Sequence, residues 1–110
     1  MWQQPVLAGK LGLAGGTLAQ AEALGASWMY DWSATPPTAE YGIESVPMIG
    51  NADRVAYDLG GNSVWILGFN EPDLQVQSNI TPERAAVLWR QIETRYSGRK
   101  LVSPAVSDPD

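Results

Sequence analysis

The sequence predicts an α/β fold built on a parallel sheet, and three observations indicate it. Short apolar runs of strand-forming residues alternate with stretches of helical character, in the order β, α, β, loop, β, α, β, α, β. Threonines stand where helices should begin, and glycines stand where they should end. Such alternation is typical of parallel strands joined by crossover helices. Five strands within 110 residues make a little over half of a (β/α)₈ barrel, which typically takes about 250 residues. We therefore expect a partial TIM barrel, with residues 1–110 as one incomplete domain.

Two strands and one helix are predicted at the start of the chain. The first strand covers residues 10–14 and ends at a pair of glycines. A helix then begins at Thr17, which forms a capping box with Gln20, and ends at Gly25. The second strand, residues 26–32, carries aromatic side chains at alternate positions, which places them on one face of the sheet. They are Trp28, Tyr30 and Trp32.

Three further strands are predicted over residues 43–49, 64–69 and 101–106. Pro47 has no amide hydrogen, so the first of these strands is either irregular at that point or ends there. The helix that follows it is capped by Asn51 or Asp53 and runs to Leu59. The strand over residues 64–69 is apolar on both faces, which is typical of a strand covered on both sides.

The last predicted helix has the clearest start. Thr81 is its cap and Pro82 occupies the first helical position. Gly98 marks its end. Its apolar side chains recur at helical spacing and predict one buried face; they are Ala85, Leu88, Trp89 and Ile92.

A doubly wound α/β domain is the alternative to the barrel. Residues 12–16, GLAGG, form the first turn of such a domain, but they lack the spacing of a dinucleotide fingerprint. That turn also has no phosphate-binding Lys-Ser/Thr pair. The partial barrel is therefore the favoured interpretation.

The composition excludes several classes of function. A net charge of −5 at pH 7 argues against a nucleic-acid or anionic-membrane surface, which would be basic. The chain has no Cys and no His, which excludes disulfides, His-ligated metals and Ser-His catalysis. We expect no cofactor and no metal. No apolar run approaches the roughly 20 residues of a membrane span, and no signal peptide is visible, although a chain without its original amino terminus would look the same.

The candidate site lies where the apolar run 64–69 ends in Asn70, Glu71 and Pro72. Functional groups collect at the carboxyl ends of parallel strands. At those ends we also expect Trp32, on which a sugar ring can stack. Aromatic, amide and carboxylate groups together indicate carbohydrate binding, and a Glu can protonate a glycosidic oxygen.

Five segments of the chain resemble glycoside hydrolase family 128 in the same order. The strongest is Asn70-Glu71-Pro72 after an apolar strand, which is similar to the acid/base motif of clan A glycoside hydrolases. The segments are SWMYDWS (27–33), VPM (46–48), LGFNEPD (67–73), QSNITP (77–82) and LVSPA (101–105). The resemblance implies a (β/α)₈ barrel that cleaves β-1,3-glucan with retention, and an extracellular or cell-wall location.

The resemblance implies a role for each matching residue. Glu71 would be the general acid/base, and Asn70 would hydrogen-bond the sugar 2-hydroxyl. Trp32 and Tyr30 would belong to the aromatic surface that binds sugar, and Asp31 would contact substrate, although the family often has Asn there. A Trp common after the third strand is replaced by residues 49–51, IGN, so one stacking platform is expected to be absent.

The nucleophile of this family is a second Glu on the seventh strand, and the chain offers no equivalent. Glu40 and Glu44 lie at the wrong end of the third strand, and Asp73 shares the loop of Glu71. We therefore expect this chain to be inactive by itself. The alternative is a non-catalytic glucan-binding or structural half-barrel. Unpaired edges at the first and fifth strands also predict self-association.

Overall fold

The computed structural model describes residues 11–39 and 42–108. It contains, in chain order, β1 (Gly12–Ala14), α1 (Leu18–Leu24), β2 (Trp28–Tyr30), β3 (Glu44–Ser45), a 3₁₀ helix (Ala52–Ala56), β4 (Trp65–Leu67), α2 (Pro82–Arg95) and β5 (Lys100–Val102). Lys10, where the first strand was predicted to begin, and the residues before it lie outside the described part of the chain.

The strands form a parallel sheet in sequence order. β1 pairs with β2, β2 with β3, and β4 with β5, all in parallel. A parallel bridge between Met48 and Leu67 joins the two parts. There Ile49 N donates to Leu67 O over 2.9 Å, and Leu67 N donates to Pro47 O over 3.0 Å. The order 1-2-3-4-5 is that of consecutive strands in a barrel wall, and the predicted fold class is confirmed.

Both α-helices begin as the sequence predicts. The Thr17 hydroxyl accepts from Gln20 N over 3.1 Å, and the Gln20 side chain accepts from Thr17 N over 2.9 Å, which completes the capping box. Gly25 ends α1 with φ at 71°, a left-handed conformation that glycine adopts without steric cost. In α2, Thr81 caps Arg84 N over 3.2 Å.

The predicted lengths of several elements were wrong. The strand expected over residues 43–49 has a ladder of two residues followed by one bridge, because Pro47 cannot donate to a neighbour. The helix expected to reach Leu59 is a 3₁₀ helix of five residues that Asn51 caps. Its Asp and Val have low α-helical propensity. α2 ends at Arg95 rather than at Gly98.

The main core lies between the sheet and α2. The predicted apolar face of α2 packs into it, which confirms that prediction. The buried members of this core are Ile49, Val55, Ile66, Phe69, Ile80, Leu88 and Ile92. A smaller cluster under α1 contains Ala21, Ala26, Met29 and Ile43.

The opposite face of the sheet, which would line the inside of a barrel, is partly open. A cavity of about 270 Å³ lies on it, between Trp28, Glu44, Val46, Trp65, Leu67 and Val102. Trp65 remains 41% exposed, and Lys100 Nζ lies 5.2 Å from its ring centroid. The expectation that β4 is covered on both faces is therefore wrong for the described residues. Within that same part of the chain, no helix combines the length and apolar character needed to cross a bilayer.

Candidate active site

The carboxyl ends of β2, β3 and β4 surround an open cavity of about 540 Å³. Trp32 follows β2, Met48 and Gly50 follow β3, and Asn70 and Glu71 follow β4. Trp32, Asn70 and Glu71, which the sequence predicts at this edge of a parallel sheet, therefore border one cavity. The volume lies within the range of roughly 300–1,000 Å³ that small-molecule sites occupy.

The loop after β4 forms one wall of the cavity through Val76, Gln77 and Ser78. The Ser78 hydroxyl contacts both Gly50 O and Asn70 O. Because a hydroxyl has a single hydrogen, it donates to one of these carbonyls at a time. This contact ties the loop to the tips of β3 and β4.

Asn70 is oriented by that same wall. Its Nδ2 donates to Gln77 Oε1 over 3.0 Å, and its backbone N donates to Gly50 O over 3.0 Å. No described residue donates to Asn70 Oδ1. That oxygen can therefore accept a hydrogen bond from a ligand hydroxyl.

Two of the cavity residues have left-handed backbones. Glu71 has φ at 43° and Trp32 has φ at 65°, a conformation that costs residues with a Cβ roughly 1–2 kcal/mol. The Glu71 turn is held in place because Glu71 N donates to Ala105 O over 2.9 Å and Leu74 N donates to Glu71 O over 3.1 Å. Such strain clusters at functional sites, and here it sets the direction in which both side chains leave the strand tips.

The aromatic side chains of β2 form a row that ends at the cavity. Trp28 and Tyr30 stack with ring centroids 6.2 Å apart, and Tyr30 meets Trp32 edge-on at 5.1 Å. Trp28 and Tyr30 therefore share one face of β2, as predicted, and Trp32, which follows the strand, continues the row. Trp32 is 48% exposed, so part of its ring is free to cover an apolar face of a ligand.

The family described as "glycosyl hydrolase catalytic core" matches residues 13–110. One similar structure is that of a family 128 (subgroup I) endo-β-1,3-glucanase from Amycolatopsis mediterranei in complex with laminaritriose. Its sequence is 38% identical to this chain, and the two folds superpose with a TM-score of 0.73. The match covers 89% of this chain and 43% of that one. The chain belongs to glycoside hydrolase family 128. A search of curated proteins gives no match.

Other members of family 128 show a similar likeness. A subgroup III curdlan-specific exo-β-1,3-glucanase from Blastomyces gilchristii is 33% identical over 92% of this chain and 48% of its own, with a TM-score of 0.73. A subgroup VII oligosaccharide-binding protein from Cryptococcus neoformans is 29% identical over 91% and 44%, with a TM-score of 0.71. The chain thus spans less than half the length of these relatives.

The structure brings three of the five predicted site residues of this family 128 chain to one cavity: Trp32, Asn70 and Glu71. Tyr30 packs against Trp32 and is not part of the lining. Asp31 also lies outside the lining, and its Oδ1 accepts from Ser33 N over 3.1 Å, which shapes the turn after Trp32.

Four polar lining residues were not predicted as site residues: Asn51, Arg54, Gln77 and Ser78. Asn51 and Arg54 belong to the segment directly after β3. The rule that functional residues lie at strand ends could have identified Asn51, which the sequence pattern indicated only as a helix cap. In residues 11–39 and 42–108, no three or more Asp or Glu side chains cluster where they could hold a metal. Glu40 lies outside the described residues.

Asp73 joins the loop after β4 to the segment after β5. Its carboxylate accepts from Ser107 Oγ over 2.7 Å, from Ser107 N over 2.9 Å and from Asp108 N over 3.3 Å. The bond from the Ser107 hydroxyl is the largest cause that lowers the pKa of Asp73 below its ordinary 3.8. Asp73 therefore acts as a tether between two loops at the site edge.

This tether predicts an acid-dependent loss of stability. Because folding lowers the pKa of Asp73, its contribution is complete above about pH 4 and is lost as the pH falls through the folded-state pKa. In urea unfolding from about pH 6 to pH 3, the advantage of wild type over Asp73→Asn should shrink at the acid end. Ser107→Ala should move the pKa of Asp73 back toward its ordinary value. A wild-type advantage that stays constant across this range would contradict the role of the tether.

Proposed function

We propose that the chain carries the acid/base half of a retaining glycoside hydrolase that acts on β-1,3-glucan. The observation that carries this proposal is the strained turn that presents Glu71 to the same cavity as Trp32 and Asn70. Membership in a family whose similar structures are described as β-1,3-glucanases supports the substrate class. On this proposal, residues 1–110 are the first part of the catalytic domain.

Glu71 would serve as the general acid/base. In a retaining reaction, this group protonates the leaving glycosidic oxygen and later removes a proton from the attacking water. Its place at the cavity suits that task, because the hydrogen bonds of its backbone N and O fix the turn and so orient the side chain. Pro72, which is buried, has its own φ fixed by its ring, so the chain directly after Glu71 is rigid as well.

Sugar binding would use the neighbouring groups. The free Oδ1 of Asn70 would accept from the sugar 2-hydroxyl, and the bond to Gln77 would keep the amide in position. The Trp32 ring would cover the apolar face of a glucosyl unit, with Tyr30 supporting it from below. Asp31 would contact substrate only from the edge, since it does not line the cavity.

The chain by itself would not turn over substrate. Retaining hydrolysis requires two carboxyl groups about 5–5.5 Å apart, and Glu71 supplies the one carboxyl group among the described residues that line the cavity. Asp73 is engaged by the Ser107 hydroxyl. Glu44 lies in the other cavity, where Ser63 donates to it.

A glucan-binding protein without turnover is the second candidate. The cavity would bind sugar through Trp32 and Asn70 whether or not a second carboxyl group completes the site. The likeness to the oligosaccharide-binding protein from Cryptococcus neoformans favours this alternative. Neutral β-1,3-glucan would be the ligand in both cases.

Self-association is a further part of the proposal. Among the described residues, β1 and β5 each pair with one neighbouring strand, so each has an open edge that can accept another strand. Trp65 and Val102 on the same inner face are partly exposed. A second copy of the chain would cover both features.

The proposed function is tested by measuring binding and turnover separately. We expect isothermal titration calorimetry to detect laminaritriose binding, and we expect no reducing sugar to be released from laminarin. Trp32→Ala should weaken binding roughly tenfold, about 1.4 kcal/mol, and Glu71→Gln, which is isosteric, should still bind. Cellotriose is the control for linkage. Absence of laminaritriose binding would contradict the proposed site, and cleavage abolished by Glu71→Gln would contradict the need for a second carboxyl group.

A further inference from the structure

We infer that Arg54 forms a second sugar subsite in this cavity, which binds hydroxyl groups of the glucosyl unit next to the one held at Trp32 and Asn70. The inference rests on the proposed glucan binding and deepens it. It assigns a direction to the bound chain, from Glu71 toward the 3₁₀ helix. Arg54 lies on that helix and lines the cavity.

Within the part of the chain that the structure describes, the Arg54 guanidinium has almost no partner. Its contact within the described residues is the Tyr57 ring, whose centroid lies 5.2 Å from Cζ, and it forms no ion pair there, with Glu71 or any other carboxylate. Arg95 differs, since it donates to Val55 O over 2.9 Å and pairs with Asp58 at 3.0 Å. A guanidinium carries five N–H donors, so Arg54 presents an unused donor set in a half-buried position.

The position of Arg54 is nevertheless well defined. The Asn51 side chain accepts from Arg54 N over 3.2 Å, and Tyr57 N donates to Arg54 O over 3.0 Å. Val55, the next residue, is buried in the main core. The short helix is thus held at its cap, its centre and its end. A side chain that extends from such a rigid base loses less freedom when it binds a ligand.

The cavity places groups of opposite hydrogen-bonding character around one space. The guanidinium of Arg54 only donates hydrogen bonds, whereas the Glu71 side chain offers acceptor oxygens. A sugar hydroxyl does both, so neutral hydroxyls that lie between the two can satisfy each of them. An anionic ligand would pair with Arg54 but would meet Glu71 in the same cavity and a chain of net charge −5. The arrangement therefore favours a neutral glucan over a charged one.

The planar shape of the guanidinium adds a geometric requirement. Its N–H groups form a rigid fork that reaches two acceptors together, which the single ammonium of lysine does not do. Adjacent oxygens of one glucosyl unit present two such acceptors. Arg54→Lys should therefore keep the charge and lose the subsite.

The test is calorimetric titration with glucose, laminaribiose and laminaritriose on the full chain. Arg54→Met should weaken the two oligosaccharides about tenfold and glucose much less, because a single unit held at Trp32 and Asn70 does not reach Arg54. Arg54→Lys should show the same pattern. Arg84→Met, an exposed change on α2 outside the cavity, is the matched control and should leave all three affinities unchanged. Thermal unfolding of each variant reports any loss of fold.

Each contrary outcome has a distinct meaning. If wild type binds these ligands and Arg54→Met binds them equally well, the subsite is wrong while the proposed function stands. If wild type binds none of them, both are overturned. An equal loss of affinity for all ligands, together with a lower melting temperature of the variant, would show that Arg54 stabilises the fold and does not form a subsite. Full affinity in Arg54→Lys, or tighter binding of a carboxymethylated laminari-oligosaccharide, would overturn the hydroxyl subsite.

Discussion

Replacing Phe69 with Ala should lower the free energy of unfolding by about 3–5 kcal/mol. Phe69 is 1% exposed and belongs to the main core. Its ring meets Trp89 edge-on with centroids 6.1 Å apart. The substitution removes a full aromatic side chain and leaves a cavity that the surrounding sheet and helix can fill only in part. A domain is typically stable by about 5–15 kcal/mol in total, so the loss is a large share.

The same change should disturb the site, because Phe69 directly precedes Asn70. Phe69 O accepts from Ala105 N over 3.3 Å, and the following turn at Glu71 relies on the same segment after β5. Loss of core packing beneath this point loosens the peptide that carries the acid/base candidate. Laminaritriose binding should therefore weaken in Phe69→Ala even where most of the protein remains folded.

Urea unfolding, followed by tryptophan fluorescence and far-UV circular dichroism together, measures the effect. Val87→Ala on α2 is the matched control, because Val87 is 53% exposed, and it should change stability by no more than about 0.5 kcal/mol. Phe69→Leu, which keeps an apolar side chain, should cost less than Phe69→Ala. If the free energy of unfolding of Phe69→Ala falls by less than about 1 kcal/mol, the Phe69 side chain is not packed in the core as described.

Gly61→Ala should cost roughly 3 kcal/mol, from two separate causes. Gly61 has φ at 76°, and a Cβ atom there would lie 2.4 Å from Ser45 O and 3.1 Å from Pro47 Cδ. The Ser45 backbone cannot easily retreat, because Asn62 binds it on both sides: Ser45 N donates to Asn62 Oδ1 over 2.7 Å, and Asn62 N donates to Ser45 O over 3.1 Å.

Gly25→Ala separates the two causes. Gly25 has a similar φ of 71°, but apart from its chain neighbours no atom of residues 11–39 and 42–108 lies within 4 Å of an added Cβ. This variant should lose only the conformational part, about 1 kcal/mol. The difference between the two variants in urea unfolding then measures the contact with β3. Equal losses would show that the clash at Ser45 is relieved by movement of the chain.

Features that depend on a few adjacent residues were predictable from the sequence. The caps at Thr17 and Thr81 and the stop at Gly25 are local hydrogen-bond or φ requirements, and all three appear as predicted. The apolar face of α2 was equally clear, because helical spacing reports burial directly. The ends of the strands were harder to predict, since the length of a ladder depends on which backbone N–H and C=O groups can pair. Pro47, which has no N–H, is an example.

The site was predictable to the extent that the strand-end rule applies. That rule brought Trp32, Asn70 and Glu71 together correctly. It could not identify Arg54, because the place of Arg54 in the cavity depends on a short 3₁₀ helix where the sequence predicts a longer helix. Nor could it predict that the Asp31 carboxylate accepts a hydrogen bond from Ser33 N in the turn after β2. Both outcomes depend on side-chain directions that only the folded backbone determines.

The Ser78 hydroxyl, which contacts the carbonyls of Gly50 and Asn70, fastens the loop after β4 to two strand tips that the bond from Asn70 N to Gly50 O already joins. The loop is thus a fixed wall of the cavity. A substitution at position 78 should accordingly move this wall while leaving the two strand tips in place.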